Sequence, residues 1–202
     1  MPRYTAAGVA AVVIEDKTFP KDSGLRPGGR QVLVPLKEFQ GKIEAARLPG
    51  GPLVVARTEA LIAGLGQDWA LRRGISYAEA GADAVLIRSR EKTPAEILEF
   101  CHAWPGPVPL VLVPTAYPQL SFAEIAALRK VGLIICANHA IRAAVAAMRE
   151  TFAHPHRRRH RRRREPHRLG RRNLQTAGRR PDARVGTPLP TLSELTLVTI
   201  RL

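Results

Sequence analysis

Short apolar runs recur along the first 150 residues, each four to six residues long and without alternating polar positions. Such runs are typical of strands that are buried on both faces of a parallel sheet. They occupy Val9–Ile14, Leu53–Ala56, Ala84–Ile87, Leu110–Val113 and Leu133–Cys136. Segments with helical spacing follow them, at Val34–Ala46, Trp69–Ala80, Pro94–Trp104, Phe122–Lys130 and Ala140–Phe152. The alternation predicts about five βα units in an α/β fold, either an open doubly wound sheet or part of a (β/α)8 barrel.

Charged or polar residues follow each predicted strand. These groups are Glu15–Lys17, Arg57–Glu59, Arg88–Arg90, Pro114–Thr115 and Asn138–His139. Because ligands bind at the carboxyl ends of the strands in parallel α/β folds, we expect the groups to converge on one site. Solvated strand ends that share no ligand are the alternative.

The net charge of +15 is concentrated in one part of the chain. Residues 1–153 contain 18 basic and 14 acidic side chains, whereas residues 154–202 contain 14 Arg, no Lys and three acidic side chains. The second segment also has no Phe, Tyr or Trp. It cannot bury enough apolar surface to offset the entropy of ordering, so we expect disorder, with a strand or short helix only within 189–202. Its arginines predict non-specific, salt-dependent binding to nucleic acid if they bind anything.

Several classes of protein are excluded by what the sequence lacks. No apolar run is long enough to span a membrane. Two cysteines, Cys101 and Cys136, do not make a disulfide framework or a zinc ribbon. No Gly-x-Gly-x-x-Gly fingerprint follows the first predicted strand, which argues against a dinucleotide-binding domain. We therefore expect a cytoplasmic protein without a membrane partner.

Four stretches of the chain carry a more specific signal. They are Glu15–Lys21 (EDKTFPK), Val55–Ala60 (VARTEA), Gly81–Ala84 (GADA), and Val113–Thr115 with Ala137–His139 further on. Taken in order, from about residue 4 to residue 152, they resemble the phosphoenolpyruvate mutase and isocitrate lyase superfamily. A Glu-Asp-Lys motif with a second Lys four residues later is that family's signature for handling phosphonates. Lyase members carry Lys-Lys-Cys-Gly-His in the corresponding loop, and this chain has nothing like it.

The resemblance implies a fold, a substrate and a reaction. The fold is a (β/α)8 barrel of the TIM type, of which residues 1–153 would supply about five βα units. The ligands would be Mg²⁺ and the small phosphonate 3-phosphonopyruvate, and the reaction would hydrolyse the carbon–phosphorus bond to give pyruvate and phosphate. Mutases have Asn where this chain has Ser23, whereas hydrolases have Thr, so Ser23 favours hydrolysis over the alternative phosphomutase reaction. Intact relatives are expected to be homo-oligomers.

The matched positions also imply site residues. Lys21 and Arg57 would be catalytic and would supply positive charge for the phosphonate, with a bidentate contact from Arg57. Arg88 would bind the substrate at a position where the family has His. Ser23, also catalytic, would orient the attacking water or a transferring oxygen. Glu15 would reach Mg²⁺ only through a water molecule, since Mg²⁺ keeps several waters.

Structural roles are the alternatives for the same side chains. Glu15–Lys17 would then form only an ion cluster, Arg57 and Glu59 only a structural pair, and Ser23 only a turn. Against the superfamily pattern the chain begins at about the fourth barrel strand, so the aspartates that bind Mg²⁺ directly in the family have no counterpart here. A catalytically inactive fragment, with residues 154–202 translated in a shifted reading frame, is therefore a further hypothesis.

Overall fold

The predicted strands form one parallel sheet in which the strands lie in the order of the chain. The computed structural model describes residues 1–23 and 28–153, together with the backbone of 196–198. Every pair of neighbouring strands is parallel. The strands are β1 (Ala11–Glu15), β2 (Leu53–Thr58), β3 (Ala84–Ile87), β4 (Leu110–Leu112), β5 (Val131–Ile135) and β6 (Thr196–Val198).

Helices separate the strands. They are α1 (Pro2–Ala6), α2 (Leu36–Ala46), α3 (Gly66–Glu79), α4 (Ala95–Ala103), α5 (Phe122–Ala127) and α6 (His139–Ala153), with a 3-10 turn at Pro114–Ala116. Helix α3 packs against both α2 and α4, so these three helices lie side by side. Helix α6 belongs to a separate unit that starts at residue 138, and none of its residues is fully buried.

The strand order decides between the two predicted kinds of sheet. A doubly wound sheet reverses its strand order at a switch point, and ligands bind there. From β1 to β6 this sheet has no reversal. The arrangement is therefore that of part of a (β/α)8 barrel, as predicted, with six strands among the residues that the structure describes.

The two faces of the sheet pack against different surroundings. Val54 and Ala56 on β2 point toward the helices and pack with Phe39 and Tyr77. The residue between them, Val55, points to the opposite face, where an inner apolar cluster forms with Ala84, Leu86, Val111 and Ile135. The alternation follows from the two-residue period of a strand. It places every second residue near the strand ends on the inner face.

The predicted elements agree with the structure apart from their ends and two short helices. Helix α1 and the 3-10 turn were not predicted, and both are short and begin at a proline. The helix predicted over Phe122–Lys130 ends three residues early, because Arg129 adopts a positive φ of 55° that no helix accommodates.

The Arg-rich segment lies almost wholly outside the described residues. The prediction of disorder falls on 154–195 and 199–202, and it stays a prediction. The backbone of β6 lies within 189–202, the stretch for which a strand or short helix was expected, and it pairs with β5. Among the residues that were placed, no helix is both long and apolar enough to cross a bilayer.

Candidate active site

A cavity of about 800 Å³ opens at the carboxyl ends of β1, β2 and β3. Its lining is dominated by charged side chains, six of them basic and four acidic. These are Lys17, Lys21, Arg57, Arg88, Arg90 and Lys92, and Glu15, Asp22, Glu59 and Glu91. The surplus of positive charge suits an anionic ligand. The first three polar groups predicted at strand ends thus converge, as expected.

Glu15 and Arg57 face each other across β1 and β2, which pair them in register. The Glu15 Oε2 atom lies 3.2 Å from Nζ of Lys21 and 3.5 Å from Nη1 of Arg57. The Glu15 side chain is 14% exposed and that of Lys21 is 57% exposed. One carboxylate therefore draws together two of the predicted site residues, which come from a strand and from the loop after β1.

The orientation of Arg57 is fixed by a second carboxylate. Both Nε and Nη2 of Arg57 donate to Oε1 of Glu59, at 2.7 and 2.5 Å. The other oxygen, Oε2, lies 3.6 Å from Nζ of Lys17 and accepts no hydrogen bond from the described residues. The side chains of Lys17 and Glu59 are almost completely buried. Arg57 and Glu59 do form the structural pair considered as an alternative, and that pair aligns the guanidinium at the cavity.

Arg88 differs from Arg57 in its contacts with neighbouring side chains. It follows β3 directly, is partly buried, and makes no hydrogen bond or salt bridge within the part of the chain that the structure describes. Burial, and then repulsion from Arg57, lower the pKa of Arg88 below its ordinary value. Two guanidinium groups held in one cavity, one of them in no salt bridge with any described residue, favour binding of an anion between them.

Lys21 and Ser23 lie on the loop after β1 and both line the cavity. Lys17 Nζ donates to the backbone oxygen of Asp22 at 2.8 Å, and the Asp22 carboxylate accepts from the backbone N–H of Arg30 at 2.9 Å. These bonds hold the segment that carries both residues. The hydroxyl of Ser23 is at the rim, where the side chain is exposed.

Asp16, the middle residue of the Glu-Asp-Lys motif, does not line the cavity. Its carboxylate is completely buried and accepts from Thr58 Oγ1, the Glu59 N–H, Arg73 Nη1 and the hydroxyl of Tyr77. Burial, and then the Asp16 charge, raise the pKa of that phenol well above its ordinary value. Sequence reasoning missed this cluster. One feature of the sequence could have indicated it: Arg73 and Tyr77 are four positions apart and therefore lie on the same face of the predicted helix.

The described residues do not build a complete magnesium site. No group of three or more His, Cys, Asp or Glu side chains is placed to hold a metal ion in the parts of the chain that were described. Glu15 is already paired with Lys21 and Arg57. It fits the role that the resemblance gives it, a contact to a metal-bound water, and no more than that.

The polar group after β4 contributes less to the cavity than predicted. After β4, Ala116 of the 3-10 turn lines the cavity, and Thr115 is not among the lining residues. Asn138 and His139 belong to the second unit. The difference at β4 has a simple cause, since the 3-10 turn at Pro114–Ala116 redirects the chain directly after the strand.

Comparison with known proteins identifies the relatives of the chain. The family model described as phosphoenolpyruvate phosphomutase matches residues 1–155. The chain is 66% identical over 156 residues to phosphonopyruvate hydrolase of Variovorax sp. strain Pal2. The aligned region covers 76% of this chain and 54% of that protein. It is 45% identical over 152 residues to phosphoenolpyruvate phosphomutase of Streptomyces viridochromogenes, covering 74% of this chain and 48% of that protein.

Solved structures give the same result. A crystal structure of phosphonopyruvate hydrolase in complex with oxalate and Mg²⁺ superposes with a TM-score of 0.66 and 63% identity, over 75% of this chain and 52% of that one. A phosphoenolpyruvate phosphomutase of Streptomyces platensis superposes with a TM-score of 0.68 and 49% identity, over 75% of this chain and 53% of that one. The chain thus spans about half the length of the relatives that it matches.

Proposed function

The chain belongs to the phosphoenolpyruvate phosphomutase family, and from this premise we propose that its cavity binds the phosphonate of 3-phosphonopyruvate for hydrolysis of the carbon–phosphorus bond. The observation that carries the proposal is the pair of guanidinium groups at one cavity, Arg57 held by Glu59 and Arg88 in no salt bridge with any described residue. A doubly charged phosphonate matches such a pair. The 66% identity to a hydrolase, against 45% to a phosphomutase, favours hydrolysis.

Each proposed residue has a role in the reaction. Water attacks phosphorus, the carbon–phosphorus bond breaks, and its electron pair becomes the enolate of pyruvate, which then takes a proton at carbon. Lys21, Arg57 and Arg88 hold the phosphonate and offset the charge that builds up on its oxygens. Ser23, at the rim of the cavity, orients the water. Phosphate and pyruvate leave in equal amounts.

Mg²⁺ is the cofactor proposed for the intact family barrel, because a relative of known structure contains it together with oxalate. The described residues supply only Glu15 toward such an ion, so no step above is assigned to the metal. We expect that hydrolysis by the chain depends on added Mg²⁺.

The experiment that tests the proposal is a phosphate-release assay on 3-phosphonopyruvate with Mg²⁺, with EDTA as a control. Release that EDTA abolishes, with an equal amount of pyruvate, is the expected result. Lys21→Ala and Arg57→Ala should each lower the rate by about a hundredfold or more, since each removes charge from the developing phosphate. Their matched controls, Lys37→Ala and Arg72→Ala, remove exposed cations from α2 and α3 and should leave the rate unchanged.

Other outcomes identify the alternatives. Formation of phosphoenolpyruvate without phosphate would mean that the phosphomutase reaction is the correct one. A folded chain that binds inorganic phosphate and releases none from 3-phosphonopyruvate would support the inactive fragment. Equal loss of rate in Lys37→Ala and Lys21→Ala would overturn the site assignment.

The setting of the protein is also part of the proposal. Both cysteines are free, and burial raises the pKa of Cys101 to about 12, which keeps its thiol unreactive. Free thiols suit the reducing cytoplasm that the sequence predicts. Self-association in intact relatives and polyanion binding by 154–202 stay predictions.

A further inference from the structure

A buried polar cluster lies next to the cavity without lining it. Its centre is the Asp16 carboxylate, which is fully shielded from solvent. Oδ2 accepts from Thr58 Oγ1 at 3.0 Å, from the hydroxyl of Tyr77 at 2.7 Å and from Arg73 Nη1 at 3.2 Å, while Oδ1 accepts from the Glu59 N–H at 2.9 Å. Four donors from β2 and α3 therefore fix one side chain that follows β1.

The cluster is connected to two ion pairs at the cavity, Glu15–Arg57 and Lys17–Glu59. Asp16 stands between Glu15 and Lys17 in the chain, and both of these line the cavity. Its partner Glu59 holds Arg57 through the carboxylate and is bound to Asp16 through its backbone N–H. A displacement of Asp16 would therefore change the Glu15–Arg57 and Lys17–Glu59 pairs together.

Arg73 extends the cluster to the far end of the loop that carries Lys21. Its Nη2 donates to the backbone oxygen of Val34 at 3.0 Å, and the N–H of Val34 donates to the backbone oxygen of Asp16 at 2.9 Å. Near the same point Thr18 N–H donates to the Val32 oxygen at 3.0 Å. Both ends of this loop are thus bound to a single buried cluster.

Stability alone does not account for such a cluster. A buried ion pair such as Asp16–Arg73 often contributes no more than apolar side chains of the same volume, because both charges lose their hydration. Its directional bonds instead specify one geometry. Here Nε of Arg73 is buried without a hydrogen-bond partner among the described residues, so the cluster is retained in spite of an unsatisfied donor.

We propose that Asp16, Arg73 and Tyr77 are positioning residues that set the distance between Lys21, Arg57 and the bound anion, without touching that anion. The proposal rests on the anion-binding site of the proposed function. Arg73 and Tyr77, which are buried residues of α3 and do not line the cavity, would thereby affect the affinity of the site for the anion.

The test uses Tyr77→Phe, which removes one hydroxyl and keeps the ring packed edge-on against Phe39. Titration calorimetry with inorganic phosphate and with methylphosphonate should show a Kd raised about fivefold, whereas the matched control Tyr4→Phe, at an exposed site on α1, should leave the Kd unchanged. Arg73→Lys keeps the charge and loses the second arm to Val34, and it should raise the Kd by a similar factor. All measurements are made well below the unfolding temperature.

A double-mutant cycle separates positioning from general weakening. In the Lys21→Ala background the effect of Tyr77→Phe on Kd should fall below twofold, because one group that the cluster positions is gone. In the Arg88→Leu background the full fivefold effect should persist, since Arg88 has no bond to the cluster. Equal effects in all backgrounds, or no effect of Tyr77→Phe on Kd, would overturn the proposal.

If the chain binds no phosphate, the proposed function is contradicted, but the positioning role of the cluster can still be tested. Amide hydrogen exchange is then the measurement. Tyr77→Phe should speed exchange of the amides in 15–18 and 32–34 at least tenfold, with 84–87 on β3 unchanged. Uniform acceleration across all three segments, or none in the first two, would show that the cluster does not control the site.

Discussion

Two regions of the sheet are built from different kinds of residue. At the ends of β1 and β2, charged side chains are buried and paired, with Asp16 and Glu59 at the centre of the bonds. Beside β3 and β4 the core is apolar, and Phe100 and Trp104 stack with their ring centroids 5.6 Å apart. The difference indicates that the apolar side supplies most of the stability, while the polar side supplies the geometry of the site.

The largest effect on stability is expected from Trp104→Ala. The indole is 1% exposed, donates to the Val108 oxygen and fits closely over Gly74 and Gly106, where an added Cβ would lie 2.7 and 2.0 Å from its ring. Its loss should lower the free energy of unfolding by about 3–5 kcal/mol. Urea unfolding measures this, with Trp69→Ala, which removes an indole that is 45% exposed, as the control. Equal losses in both variants would contradict the comparison.

The next largest effect is expected from Arg88→Leu, which should weaken phosphate binding without lowering the stability of the fold. Arg88→Leu removes a cation that repels Arg57 and has no salt bridge to lose within the described chain, so the midpoint of thermal unfolding should stay level or rise. Phosphate binding should weaken by about tenfold, because a charged hydrogen bond to the anion is lost. Titration calorimetry measures the affinity for phosphate, and a thermal melt measures the midpoint of unfolding. Arg3→Leu, at an exposed position on α1, is the control, and a lower midpoint for Arg88→Leu alone would contradict the expectation.

A smaller and pH-dependent effect is expected at α5. Ser121 and Glu124 form a capping box, and the hydrogen bonds from Ser121 lower the pKa of Glu124. A carboxyl group whose pKa is lower in the folded state stabilises it above the unfolded pKa and loses that contribution as the pH falls. Ser121→Ala should therefore cost about 1 kcal/mol at pH 7 and less at pH 3. Urea unfolding at both values, with Thr93→Ala as the control, checks this; a cost that grows toward pH 3 would contradict it.

The smallest effect on the site is expected from the Arg-rich segment. Replacing the seven Arg within 156–164 by Gln should abolish retention on heparin at low salt and leave phosphate binding unchanged. Retention that persists in this variant would place the polyanion site elsewhere. A change in phosphate affinity would contradict the separation of the segment from the cavity.

The sequence predicted the order of the elements because the pattern of the core is local. The uninterrupted apolar run Ala84–Ile87 is a strand with the predicted bounds, whereas the other four predicted strands begin or end at different residues. Convergence of the first three polar groups followed from the rule for parallel sheets. Arg57 and Arg88 were predicted in the same way to lie at the site, whereas Lys21 was predicted only from the resemblance. These predictions depend on chain periodicity and on the resemblance.

The partners of the charged residues were not predictable. Asp16 reads as one more solvent-facing member of a polar motif, and only the fold brings Arg73 and Tyr77, some 60 positions later, to its carboxylate. Likewise, the absence of a salt bridge to Arg88 among the described residues depends on the orientation of the neighbouring side chains. Long-range hydrogen bonds leave no periodic trace in a sequence.

The agreement between strand order and chain order has a consequence for how the chain folds. From β1 to β5 each strand pairs with the next one along the chain, so the contact order of this part is low for a parallel sheet. Each step closes only one βα loop, and the entropy of closure grows slowly with loop length. We expect folding to advance unit by unit. The first closure, of β1 on β2, already joins Glu15 to Arg57, so the charged pair of the site forms early.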